Sequence, residues 1–259
     1  NESLKQEGYK IYRVYQGKRT LLGTLGKDIT FFSDTAPPSP ASVRYELAAY
    51  NFSGESQSLG ISVYIPKAIA YKDLTRHLWA AEAISKLNAL GAFTPSVPAA
   101  FFYPDRAMTR AEFIHMLLST FALIPKDSYL FSLKDLPRTD AAYKNMMAAV
   151  DMGIISPDQG GRIYPSKIIT RAEMLQCINN ALNCKDIPLR SFDLSALNSY
   201  TDYEALPGTQ QNLFANFAYN SILTGLMGNK LSPHSTVSRA TASTVLYRTI
   251  KLYIPSLLY

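Results

Sequence analysis

Thr109-Arg-Ala-Glu112, Thr170-Arg-Ala-Glu173 and Ser238-Arg-Ala-Thr241 are three versions of one tetrapeptide, and each stands at the same place in a longer pattern. An aspartate opens each unit (Asp73, Asp135, Asp202), and a small residue follows 18, 18 and 19 positions later (Gly91, Gly153, Ser221). The motif arginine comes 19, 18 and 18 positions after that, at Arg110, Arg171 and Arg239. A proline lies six residues before each arginine (Pro104, Pro165, Pro233), and a bulky apolar residue eight before it (Phe102, Ile163, Leu231). Five landmarks held in register over three copies define an internal repeat.

Between the landmarks the apolar period is helical. It predicts helices over 78–90 and about 110–123 in the first copy, 140–152 and 171–183 in the second, and 210–220 and 239–252 in the third. In the first helix Leu78, Ala81, Ile84, Leu87 and Leu90 share a face; in the second Phe113, Met116, Leu117 and Phe121 do so. Two amphipathic helices cannot cover their own apolar faces, but three pairs around one core can. The reading is therefore a single all-α domain over 67–259, with repeats at about 67–124, 125–184 and 185–252. The apolar tail, Leu252-Tyr-Ile-Pro-Ser-Leu-Leu-Tyr259, is expected to pack on it.

The first two tetrapeptides read as capping boxes. The Thr109 and Thr170 hydroxyls accept from the third amide of the helix, and Glu112 and Glu173 reach back to the threonine amide. Ser238 keeps the cap, while Thr241 replaces the reciprocal acid. The arginine is less easily explained, because the first helical position faces the positive end of the helix dipole. Three repetitions of that choice suggest that each arginine meets an anion. Two partners fit: an internal aspartate of the same unit (Asp73, Asp135, Asp202), or a ligand carboxylate held by the arginine with the free amides of the helix N-terminus.

Residues 9–66 alternate with period two in short runs, punctuated by Gly17, Gly26, Pro37-Pro-Ser-Pro40 and Asn51-Phe-Ser-Gly54. The runs include Ile29-Thr-Phe-Phe32, 43–50 and 59–65. Such spacing predicts a small antiparallel β-sandwich over 1–66, with its boundary at Pro66 and Lys67, so the chain as a whole reads as an α+β multidomain protein. Tyr45-x-Leu47-x-Ala49-x-Asn51-x-x-Gly54 resembles the penultimate strand and turn of fibronectin type III domains, and Tyr9-Lys-Ile-Tyr-Arg-Val14 is similar to their third strand. That likeness covers only the later five strands. It implies either chain upstream or a half-sandwich leaning on a neighbour.

The pattern of an aspartate, Trp79-Ala80, Gly91, Tyr103-Pro104-Asp105 and Thr109 to Glu112 resembles S-layer homology repeats. The second copy matches through Asp135, Gly153-Ile-Ile-Ser156, Tyr164-Pro165 and Thr170 to Glu173. The likeness spans about 67–252 and implies a pseudo-threefold domain whose inter-repeat grooves bind secondary cell-wall polysaccharide, an anionic glycan that is often pyruvylated. On that reading the module is a non-catalytic anchor of a bacterial surface protein, extracellular at the cell wall or S-layer. The implied glycan-binding residues are Arg110, Arg171, Arg239, Trp79, Asp73, Asp135, Gly91 and Gly153. Trp79 has Ala141 and a position near Thr209 as counterparts, so an aromatic for sugar stacking occurs once; burial in the core is its other reading. As a glycan site the Arg110 groove is the best supported by the sequence, Arg171 next and Arg239 last.

The charge balance agrees with an anionic polymer without naming one. Residues 1–66 hold seven Lys/Arg and six Asp/Glu, leaving 26 − 7 = 19 against 20 − 6 = 14, so the repeats carry +5 of the +6. No basic stripe suggests nucleic acid, and no eighteen-residue apolar run suggests a membrane span. The start, Asn1-Glu-Ser-Leu-Lys5, lacks signal-peptide features. Cys177 and Cys184 lie roughly 10 Å apart on one helix, too far for a disulfide, and read as small fillers. His77, His115 and His234 have no matched acid or nucleophile, and no phosphate loop, metal-ligand set or serine elbow occurs; no enzyme, cofactor or metal is expected. The competing reading is a structural or protein-interaction module, possible in self-assembly, whose glycan binding has degenerated.

Overall fold

A computed structural model describes all residues except 1–5, 33, 35, 39–40, 57, 66–70, 94–99, 191, 225–228 and 259. The chain forms two compact units, residues 1–68 and 69–259. The boundary read at Pro66 and Lys67 lies outside the described residues.

In the first unit the alternating segments form β1 (Gly8–Tyr15), β2 (Lys18–Gly26), β3 (Ala41–Asn51), β4 (Gly54–Glu55) and β5 (Leu59–Ile65). All pair antiparallel in one sheet. Strand β1 lies between β2 and β3, and the other edge of β3 carries first β5, in register from Ala41 opposite Ile65, then β4. The alternation sorts the side chains. One face carries a polar network, with Glu55 accepting from Lys10 and Tyr12 and Arg19 bonded to Glu46. The other places Val43, Tyr45 and Leu47 across from Val63, Ile61 and Leu59.

The expected sandwich is a single layer among the described residues. Ile29 to Phe32 do not pair as a strand. The run crosses the apolar face instead, where Phe32 occupies the space a side chain at Gly23 would need and Asp34 is bonded by Tyr45 and Arg13.

In the second unit the helices are α1 (Leu78–Ala89), α2 (Arg110–Thr120), α3 (Tyr143–Asp151), α4 (Arg171–Asn183), α5 (Gly208–Tyr219) and α6 (Arg239–Tyr253). One continuous core joins them, built on Phe113, Phe121, Met146, Leu175, Phe214, Phe217 and Leu246, and a smaller cluster puts Ala80, Ile84 and Phe102 against Ala240. Helix α1 buries Ala80, Ala83, Ile84 and Leu87; Leu78, placed on the buried face by periodicity, is 74% exposed. Both cysteines are free: Cys177 is in the core, and burial pushes its thiol up to about 12.

The repeats meet at a centre of unusual economy. Met108 N–H donates to Val237, Val237 N–H to Ile169, and Ile169 N–H to Met108, at 3.0, 3.2 and 3.0 Å. These three residues precede the helix caps of α2, α6 and α4 and are buried together. A closed triangle of backbone hydrogen bonds thus ties the three helix-start segments together.

Candidate binding grooves between the repeats

Helices α2 and α4 start at complete capping boxes: Glu112 N–H donates to Thr109 Oγ1 and Thr109 N–H to Glu112, with the same pair between Thr170 and Glu173. Ser238 caps α6 by accepting from Thr241 N–H at 3.3 Å. The first two helical amides are also occupied, by carbonyls of the adjoining repeat. Arg110 and Ala111 donate to Lys167 and Pro165, Arg171 and Ala172 to Ser235 and Pro233, and Arg239 and Ala240 to Arg106 and Pro104. The free helix N-terminus expected beside each arginine is therefore absent. Those donors are spent on ring closure, which leaves the arginine side chains as the donors to weigh.

Each guanidinium reaches the carbonyl of the bulky apolar residue in the adjoining repeat: Arg110 to Ile163 at 2.9 Å, Arg171 to Leu231 at 2.9 Å and Arg239 to Phe102 at 2.8 Å. The aspartates hold the same segment from the other side. Asp73 accepts from the amides of Phe102 and Tyr103, Asp135 from Ile163 and Tyr164, and Asp202 from Leu231 and Ser232, at 2.7–2.9 Å. Two consecutive amides on one carboxylate hold Tyr103, Tyr164 and Ser232 at positive φ (58°, 52° and 49°), a costly conformation for such residues. The internal partner thus differs from the expected ion pair. Aspartate and arginine clasp opposite ends of the same peptide group. Gly91 and Gly153 serve geometry as well: they sit at φ +70° and +69° just past α1 and α3, with Ser221 at 58° past α5.

Among the described residues, one cleft opens beside the Arg110 clasp and another beside the Arg171 clasp. The first, about 230 Å³, is lined by Arg110, the turn Ile154 to Ser156, Glu173, Gln176 and Asn180. Its cation is already matched, since Arg110 is bonded to Glu173, which also takes Lys167 at 3.1 Å. Burial alone would raise the Glu173 pKa, but Arg110, the Thr170 amide and Lys167 outweigh it and hold the carboxyl at about 2.

The second cleft, about 270 Å³, is lined by Arg171, Trp79, Thr224, Thr241, Thr244 and Arg248. Arg171 is 2% exposed and donates to the carbonyls of Leu231 and Thr224. Trp79 is 57% exposed, so it is a cleft-wall residue, not a core one. The third arginine, Arg239, is covered by Phe93 and Phe102, whose ring centroids lie 5.7 and 4.6 Å from it.

The structure thus brings Arg171 and Trp79 together, and adds Arg248, which the sequence reading missed. Its signal was the place nine residues after the motif arginine, held by Ser119, Asn180 and Arg248 in turn. Asn180 donates to Ile154 in the first cleft, and Arg248 to Ile222 in the second. Asp73, Asp135, Gly91 and Gly153 line neither cleft. Asp73 borders a separate hollow with Arg76, His77, Tyr103, Asp105 and Arg106.

Residues 70–114 and 132–175 each match the family model of the S-layer homology domain. The chain is also similar to exoglucanase XynX of Acetivibrio thermocellus, at 26% identity over 185 residues. The match covers 71% of this chain but spans only 16% of that protein's length.

Proposed function

We propose, from the premise of those tandem repeats, that the helical unit anchors its chain to the bacterial cell wall by binding an anionic secondary cell-wall polysaccharide in the clefts between repeats. Residues 185–252 act as a third repeat of the same kind. The observation that carries the reading is Arg171: a guanidinium almost wholly withdrawn from water, on the wall of an open cleft, hydrogen-bonded to the backbone carbonyls of Leu231 and Thr224. Burial disfavours this charge, and Asp202, at the other end of the same peptide group, offsets that only in part; an acidic glycan supplies a direct counter-ion. Charge-assisted hydrogen bonds contribute about 1.5–3 kcal/mol each, and two occupied clefts on one polymer raise avidity by roughly 10²–10⁴. A pyruvate ketal would provide the carboxylate. The protein then resides outside the cell, and whatever domains accompany it are the anchored cargo.

Sedimentation with purified host walls tests this. The protein pellets with intact walls and stays in solution once the polysaccharide has been stripped from them. Equal pelleting with both preparations would count against it.

A second reading has its own support. The arginines and helix amides close the ring of repeats, so the motif would recur in a purely structural or assembly module. That module pellets with neither wall preparation, or with both alike.

A further inference from the structure

The Arg110 and Arg171 clefts occupy equivalent places in the repeat yet differ in charge. Two residues after the helix-start arginine of the repeat that forms the outer wall, the Arg110 cleft has Glu173 and the Arg171 cleft has Thr241. Seven residues further on stand Asn180 and Arg248. The Arg110 cleft therefore holds a guanidinium bonded to a carboxylate. The Arg171 cleft holds two guanidinium groups, and no acid is among the described residues that line it. Glu82, one turn beyond Trp79 on α1, is engaged by the Tyr247 hydroxyl.

Both arginines are fixed to one turn. Arg171 donates to Thr224 and Arg248 to Ile222, so the two cations flank the same three residues. A guanidinium has five N–H groups, and the bonds of Arg171 to Leu231 and Thr224 use two of them. Trp79 comes from the first repeat to complete a wall otherwise built by the second and third. An indole face offers apolar area and a cation neighbour without charge of its own, which suits the C–H face of a pyranose ring.

We infer that the clefts divide the glycan by charge: the Arg171 cleft, with Arg248 as its second cation and Trp79 as its stacking face, takes the acidic sugar unit, and the Arg110 cleft takes an uncharged one. This rests on the anchoring function proposed above and adds the residues that set specificity within it. The acidic group is a carboxylate or a phosphate, which share the same recognition chemistry.

Trp79 is the chain's one tryptophan, so its fluorescence reports this cleft alone. The probe is polysaccharide fragments released from host walls, titrated untreated, after reduction of their carboxyl groups, and after phosphate removal with hydrogen fluoride. Untreated fragments change the emission saturably, and one of the two treatments abolishes the change, which identifies the acidic group. Arg248→Asn, the residue of the other cleft, weakens binding about tenfold or more. Thr241→Glu abolishes it, because the new acid occupies Arg171 as Glu173 occupies Arg110. That variant also completes the third capping box, so its melting temperature stays level or rises, which excludes unfolding as the cause.

If wild type pellets with walls but Thr241→Glu responds to fragments as wild type does, or both treated fragments still bind, the division by charge is overturned while anchoring stands. If wild type ignores walls and fragments alike, the anchoring reading itself fails, and this inference with it.

Discussion

Glu173 serves two masters at once: it completes the α4 capping box through the Thr170 amide and neutralises Arg110 across the repeat boundary. Its carboxyl titrates at about 2 in the folded chain, against roughly 4.3 when unfolded. Because the folded pKa is the lower one, the unfolded state binds more protons between those values. The stabilisation is complete above about pH 5 and is lost as pH falls toward 2. Glutamine keeps the bond to the Thr170 amide and removes only the charge. Melting temperatures of wild type and Glu173→Gln should therefore differ near neutral pH, with wild type higher, and converge as pH approaches 2. A gap that stays constant with pH would refute the assignment.

Among the elements, α1 shows best where sequence reasoning stopped. Its segment, Leu78-Trp-Ala-Ala-Glu-Ala-Ile-Ser-Lys-Leu, is apolar on more than one side, so a 3.6-residue period fits several faces. The core takes the face bearing Ala80 and Ala83, because small side chains let α1 come close to α6, where Ala80 shares a cluster with Ala240. Enlarging Ala80 to leucine should cost about 1–3 kcal/mol by overpacking, whereas Leu78→Ala should stay within about 0.5 kcal/mol. Chemical denaturation of the two variants checks this, and a Leu78 loss larger than the Ala80 loss would reverse the face. The starts of α2, α4 and α6 were legible because helix caps are local chemistry, written within four residues, whereas α3 and α5, which have no side-chain cap, begin at Tyr143 and Gly208 and not at the expected 140 and 210. The sheet was legible as strands, but its layering was not: whether Ile29 to Phe32 pair or cross a face depends on Gly23 and Tyr45, which no alternation encodes. The candidate cleft was half legible for the same reason. Arg171 announces itself by repetition, but the cleft it shares with Trp79 and Arg248 is made by three repeats meeting in space.

At the scale of the whole helical unit, every repeat depends on the next. The second repeat's lysine and proline carbonyls receive the amides that open α2, the third repeat's Ser235 and Pro233 receive those of α4, and the first repeat's Arg106 and Pro104 receive those of α6. The last link, Arg239 to Phe102, joins residues 137 positions apart. A ring of this kind is not a solenoid, in which stability builds one unit at a time. Removing a unit leaves two broken interfaces, with buried donors on each side that have lost their acceptors. In the full chain the amides of Met108, Ile169 and Val237, buried at the axis, should therefore exchange with solvent at one shared, slowest rate, set by global unfolding of the helical unit. Ending the chain after Cys184 removes the acceptors of Arg171, Ala172 and Met108 together. That fragment should lose its cooperative melt and the protection of Met108 and Ile169. Were it to keep a sharp transition with those amides protected, the repeats would be additive modules, and the arginine clasps would be decoration on units that stand alone.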